Sequence, residues 1–174
     1  MIVKIDIRET QLIEKINIFI KEKNITYIKI VIECLYIGDI IILDDFGKIY
    51  TILERKTIND LNSSIKDGRY EEQSYRLNEL EIPNHNIIYL IEGKILKSFR
   101  INPTMIYSAI FSINYYKGFS VFRSIDINES IEIICNMANK INKNSLEKRM
   151  PYYKYITTNN VSNNNVSNND NIVN

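Results

Sequence analysis

The sequence predicts a single α/β domain, and three observations carry that reading. Short apolar runs alternate with stretches of helical periodicity along most of the chain. A length of 174 residues suits one hydrophobic core. With 45% hydrophobic and 25% charged residues the proportions are globular, which excludes a fibrous or wholly unfolded chain. Ile, Asn, Lys and Tyr are over-used, so the spacing of apolar positions is weighed above their identity.

Taken in order, residues 1–7 (MIVKIDI) form a strand candidate, and Leu12, Ile16, Phe19 and Ile20 lie on one face of a helix over about residues 10–23. Residues 27–35 alternate as a second strand. Residues 39–44 and 49–55 flank Asp45, Phe46, Gly47 and Lys48, a four-residue hairpin connection ending near a glycine. Thr57 caps a helix that runs to about residue 66, Gly68 breaks it, and a further helix covers about residues 70–80. Residues 86–91 make a buried strand. Asn102 followed by Pro103 is a cap-then-proline start for a helix with Ile106, Ile110 and Ile113 facing inward. Residues 118–123 form a sixth strand. Ile127, Ile131, Ile134, Ala138 and Ile141 recur at three- and four-residue spacing, giving a last helix to about residue 143. The folded domain therefore occupies residues 1–145. Residues 146–158 are basic and aromatic without a clear period. Residues 159–174 (NNVSNNNVSNNDNIVN) carry too few apolar groups to offset ordering, and the expectation is a disordered tail.

Composition also excludes functions. Twenty-two basic against 21 acidic residues leave a net charge of +1, so any polyanion must be held by a local patch rather than by a domain-wide field. Two cysteines, Cys34 and Cys135, cannot make a disulfide framework or a clustered zinc site, and they point to a reducing, intracellular compartment. Charges at Lys4, Asp6, Arg8 and Glu9 interrupt the apolar run that a signal peptide needs, and no stretch approaches the length of a membrane span. There is no glycine-rich phosphate loop after a strand, which argues against a generic α/β ligand-binding domain. His85, alone in a turn after Pro83 and Asn84, is read as neither ligand nor base.

The chemistry concentrates in the hairpin. If Asp44 opposes Ile49, counting back along both strands sets Asp39 opposite Glu54. Facing carboxylates repel unless a cation compensates them. Side chains alternate along a strand, so Lys56 shares the face of Glu54 while Arg55 takes the other. Two carboxylates and a lysine suit a hard cation that activates water for phosphodiester hydrolysis, with Lys56 orienting the water or neutralising phosphate charge. The plainer reading of Glu54 and Lys56 is a same-face ion pair. Asp60, three residues after Thr57, fits a helix cap as well as an active-site part.

Residues 54–77 read ERKTINDLNSSIKDGRYEEQSYRL, preceded by VKIDIRE at residues 3–9 and by Gly38-Asp39. This resembles the XPF/MUS family of structure-specific DNA endonucleases, whose signature is Gly-Asp followed by Glu-Arg-Lys-x-x-x-Asp, and within it the catalytic branch of the MUS/EME crossover-junction enzymes. The resemblance continues through residues 87–93 and 118–130. It implies a restriction-endonuclease-like fold, a central mixed β-sheet flanked by helices. It implies cleavage of branched DNA (3′ flaps, forks, nicked Holliday junctions) in repair and recombination, with Mg²⁺ or Mn²⁺, in the nucleus or another site of DNA replication and repair. It matches Asp39 and Glu54 to metal ligands, Lys56 to a catalytic lysine, Asp6 to an acidic active-site and metal position, Glu9 to the acid three further on, and Arg55 and Asp60 to the rest of the signature.

Ser63, Ser64, Arg69, Gln73 and Arg76 surround the helix break, where hydroxyl, amide and guanidinium groups could meet phosphates; the alternative is a solvated polar face. Lys94, Lys97 and Arg100 form a second basic cluster. Family members usually add a tandem helix-hairpin-helix module, for which this sequence has no hairpin pattern. Tyr107, Phe111, Tyr115 and Tyr116, beside the Ile stripe of the same helix, suggest a subunit interface, hence a homodimer or a heterodimer with an inactive homologous subunit. The competing function is a non-catalytic DNA-binding partner subunit. Such subunits of the family lose the acidic and lysine positions that this sequence keeps.

Overall fold

The computed structural model describes residues 1–96 and 101–147, apart from the side chain of residue 146. Lys97, Arg100, the basic segment from residue 148 onwards and the Asn-rich tail lie outside the described residues. The elements run β1 (Ile2–Asp6), α1 (Thr10–Glu22), β2 (Lys29–Glu33), β3 (Ile40–Leu43), β4 (Ile49–Thr57), α2 (Ile58–Lys66), α3 (Arg69–Asn78), a short 3₁₀ turn (Asn84–Asn86), β5 (Ile87–Glu92), α4 (Pro103–Tyr115), β6 (Ser120–Ser124) and α5 (Ile127–Leu146).

Six strands form one mixed sheet in the order β2-β1-β3-β4-β5-β6. β3 runs antiparallel to both β1 and β4, while the β1–β2, β4–β5 and β5–β6 pairs are parallel. Alternation sorts the strand residues into two cores. Val3, Ile5, Ile40, Ile42, Leu53, Ile88 and Leu90 pack under α1 and α5 with Leu12, Ile16, Ile131, Ile134 and Ala138. Ile52, Ile87, Tyr89 and Ile91 pack under the opposite layer with Leu61 of α2, Tyr70 and Leu77 of α3, and Ile106 and Ile113 of α4. The parallel strands β4 and β5 are covered on both faces, which is why residues 87–91 read as an unbroken apolar run.

The hairpin register corrects one expectation. Ile40 pairs with Leu53, Ile41 with Ile52 and Ile42 with Thr51, as counting from the turn requires, but the register then shifts and Leu43, not Asp44, pairs with Ile49. The cause is local: the Asp44 carboxylate accepts hydrogen bonds from the amides of Phe46 (2.9 Å) and Lys48 (3.0 Å), folding the chain out of the ladder. At the other end the ladder begins at Ile40–Leu53: Asp39 stands one residue before β3 and its amide donates to the Leu53 carbonyl, so it lies beside Glu54 without forming the directly opposed pair that the count gives.

Helix starts follow their caps. Thr57 Oγ1 accepts from the Asp60 amide, Asn102 from the Thr104 amide, and Asp126 from the amides of Asn128 and Glu129. Gly68, at φ 81°, separates α2 from α3 as expected of a residue free to adopt the left-handed region.

Candidate active site

The site forms where β1 and β4 end and β3 begins, beside α3. Main-chain bonds fix its frame: the Asp6 amide donates to the Asp39 carbonyl (2.9 Å) and the Asp39 amide to the Leu53 carbonyl (2.8 Å). Asp39 Oδ2 accepts the Arg55 amide at 2.8 Å. Glu54 and Lys56, on the face of β4 that packs under α3, are each only 7% exposed. Lys56 Nζ lies 3.6 Å from Glu54 Oε1 and donates to Gln73 Oε1 of α3 at 2.5 Å. An open cleft of about 270 Å³ is lined by Asp39, Glu54, Gln73, Arg76, Arg8 and Tyr36, among others.

The electrostatics mark the carboxylate pair as short of positive charge. Burial, then the charges of Glu54 and Glu9, push the Asp39 carboxyl up to about 8. Burial raises Glu54 as well, against the pull of Lys56. Asp6 behaves oppositely: the Arg8 side chain, with the amides of Arg8 and Leu35, holds it down to about 2. Its Oδ1 accepts from Arg8 N (2.9 Å) and Arg8 Nε (2.6 Å), and its Oδ2 from the Leu35 amide (2.8 Å). Among the described residues no three His, Cys, Asp or Glu side chains gather closely enough to hold a metal together, so Asp6 is not brought into one ligand set with Asp39 and Glu54.

The remaining expected residues divide. Arg55 points to the α1 and α5 face and is ion-paired with Glu9 (2.8 Å) and Glu92 (2.7 Å), while Ser130 of α5 donates to Glu92 at 2.7 Å. Asp60 is held by the cap, its carboxylate accepting the Thr57 hydroxyl at 2.6 Å. Ser63 is exposed. Ser64 is buried instead of facing solvent, its hydroxyl donating to the Leu61 carbonyl one helical turn back. Arg69 is exposed and ion-paired with Asp67 (2.7 Å), and Arg76 donates to the Tyr36 carbonyl at 3.1 Å. Of the polar set around the helix break, Gln73 and Arg76 reach the cleft.

Sequence reasoning missed Arg8, Tyr36 and Glu92. Tyr36 stands two residues before Gly38-Asp39, and Arg8 two residues after Asp6, so adjacence to the acids was the available signal. Glu92 shows itself only once β4 and β5 pair in parallel.

The ERCC4 domain matches residues 5–137, most of the chain. The chain belongs to the ERCC4 domain family. Relatives of this ERCC4 domain include the probable crossover junction endonuclease mus81 of Dictyostelium discoideum, 32% identical over 102 residues that cover 49% of this chain and 11% of that protein. Another is the structure-specific endonuclease subunit MUS81 of Rattus norvegicus, 35% identical over 79 residues, 45% of this chain and 14% of that protein. The ERCC4 domain thus spans a small part of the relatives it matches. Its fold is that of XPF from Aeropyrum pernix, solved in complex with DNA, with a TM-score of 0.64 at 23% identity over 82% of this chain and 65% of that one.

Proposed function

We propose that this ERCC4 domain is the nuclease domain of a structure-specific endonuclease that hydrolyses phosphodiester bonds in branched DNA, such as 3′ flaps, forks and nicked Holliday junctions, with Mg²⁺ or Mn²⁺ at Asp39 and Glu54. The observation that carries the reading is buried Glu54, with Lys56 beside it, next to half-buried Asp39 at an open cleft. The names of the relatives and the DNA complex of the XPF structure support the substrate class.

The donor set fits a hard divalent cation. It is all oxygen, it consists of two carboxylates, and both are pushed towards the protonated form by burial, a cost that a cation would offset. When bound, such a cation supplies Lewis-acid activation of water and neutralisation of phosphoryl charge. Lys56, pinned by Gln73, presents its charge towards the phosphate and orients the attacking water. Arg8, its guanidinium held by Asp6 while its side chain stays 71% exposed, offers a fork to an adjacent phosphate. Ser63, Arg69 and Arg76 line the path of the DNA backbone on α2 and α3. Asp6, Glu9, Arg55 and Asp60 position these groups and hold the frame.

Assembly belongs to the same reading. Tyr107, Phe111, Tyr115 and Tyr116 of α4 and its C-terminus are all more than half exposed, and Phe111 stacks on Tyr115 with centroids 5.1 Å apart. An aromatic face of this kind suits a second ERCC4 domain, in a homodimer or beside an inactive homologous subunit. Among the described residues no helix is long and apolar enough to cross a membrane.

The test is incubation of the purified chain with labelled flap, fork and Holliday substrates, with and without Mg²⁺. Cleavage at the branch that requires the cation is expected. Binding without cleavage of any substrate would favour the non-catalytic partner subunit.

A further inference from the structure

Tyr36 is 87% exposed, in the β2–β3 loop, yet that loop is fixed at both ends. The Leu35 amide is bonded to buried Asp6, and the Asp39 amide to the Leu53 carbonyl. Between them Gly38 adopts φ 70°, where a Cβ would come within 2.5 Å of Ile52 Cγ2. The ring itself is braced by Arg76, which donates to the Tyr36 carbonyl at 3.1 Å and whose guanidinium carbon lies 5.5 Å from the ring centroid. A rigid backbone thus displays a water-exposed aromatic at the mouth of the cleft that holds Asp39 and Glu54. Packing does not account for it, because the ring buries little; a flat ligand does.

Resting on the endonuclease reading, we propose that Tyr36, backed by Arg76, is a substrate-binding residue that stacks on an unpaired nucleobase next to the scissile phosphate, and so favours cutting where the duplex opens into a single strand. Aromatic platforms accept any base face, and the neighbouring guanidinium contributes positive charge towards the backbone. A paired base offers its face only to its stacked neighbours, so the platform discriminates an opened strand from continuous duplex.

The experiment uses the full chain and flap oligonucleotides carrying 2-aminopurine at each position flanking the cut, in Ca²⁺ for binding and Mg²⁺ for cleavage. The wild type should quench 2-aminopurine at one unpaired position. Tyr36→Ala should abolish that change and raise KM for the flap about tenfold, the scale of one lost stack, while Tyr36→Trp should retain both. An abasic nucleotide at that position should erase the difference between wild type and Tyr36→Ala. Equal KM and equal quenching for wild type and Tyr36→Ala would overturn the inference and leave the endonuclease reading intact. A wild type that cuts no branched substrate would overturn both.

Discussion

Asp39 accepts a hydrogen bond from the main-chain amide of Arg55 at 2.8 Å, so a member of the carboxylate pair also laces β3 to the strand that carries the other member. That bond fixes the Asp39 carboxylate beside the strand that carries Glu54, whose charge adds to burial in raising it; on the proposed reading a divalent cation would relieve that cost.

This has a pH signature in the metal-free protein. Asp39 sits at about 8 in the fold, mainly from burial, against roughly 3.9 in an unfolded chain. The folded state therefore binds more protons between those values, and this group's contribution to stability is fully present below about pH 4 and lost as pH rises towards 8. Melting curves in chelator from pH 5 to 9 should fall more steeply for wild type than for Asp39→Asn, which should be more stable at pH 8 by some tenths to about 1 kcal/mol. Parallel curves would contradict this. Asp6, held at about 2 by Arg8, has the opposite sign: its contribution is present above about pH 4 and lost as pH falls to 2.

Arg55 joins Glu9 and Glu92 with its side chain only 12% exposed. Arg55→Ala leaves two acids without their shared cation and should cost about 3–5 kcal/mol in chemical denaturation. Near-wild-type stability with lost activity would instead place Arg55 on the substrate.

Gly38→Ala forces a side chain at φ 70° against Ile52 and the Leu53 carbonyl. It should destabilise by about 1–3 kcal/mol and weaken divalent-cation binding by displacing Asp39, as read by melting with and without Mg²⁺. An unchanged melting temperature would show that the loop adapts.

The aromatic face of α4 predicts self-association or capture of a homologous subunit. Phe111→Glu with Tyr115→Glu should yield a folded monomer by light scattering, since both side chains are more than half exposed. A wild type that is already monomeric at roughly tens of micromolar, with full cleavage activity, would remove the interface.

Much of the site was legible because it depends on two local rules, strand alternation and antiparallel counting. These brought Asp39 and Glu54 to one end of the strand pair and separated Lys56 from Arg55. The count departs from the register at both ends: at Leu43, where the Asp44 side chain captures the turn amides, a competition that strand propensity does not reveal, and at Asp39, whose amide donates to the Leu53 carbonyl just outside the ladder. The Thr57–Asp60 cap was legible for the same local reason. Long-range closures were not: Arg55 meets Glu92 through a parallel pairing, and Ser130 of α5, 38 residues further on, donates to the same Glu92 carboxylate. Ser64 was misplaced because its helix phase, shared with Leu61, turns it inward.

The most direct test is single-turnover cleavage of a flap substrate by wild type and Glu54→Gln, each paired with melting curves with and without Mg²⁺. Glu54→Gln should fold, melt at or slightly above the metal-free wild type, lose the stabilisation by Mg²⁺ and lose cleavage, whereas Lys56→Ala should keep the Mg²⁺ response and lose rate. Wild-type cleavage by Glu54→Gln, or its outright unfolding, would show that the carboxylate pair is structural and contradict the account.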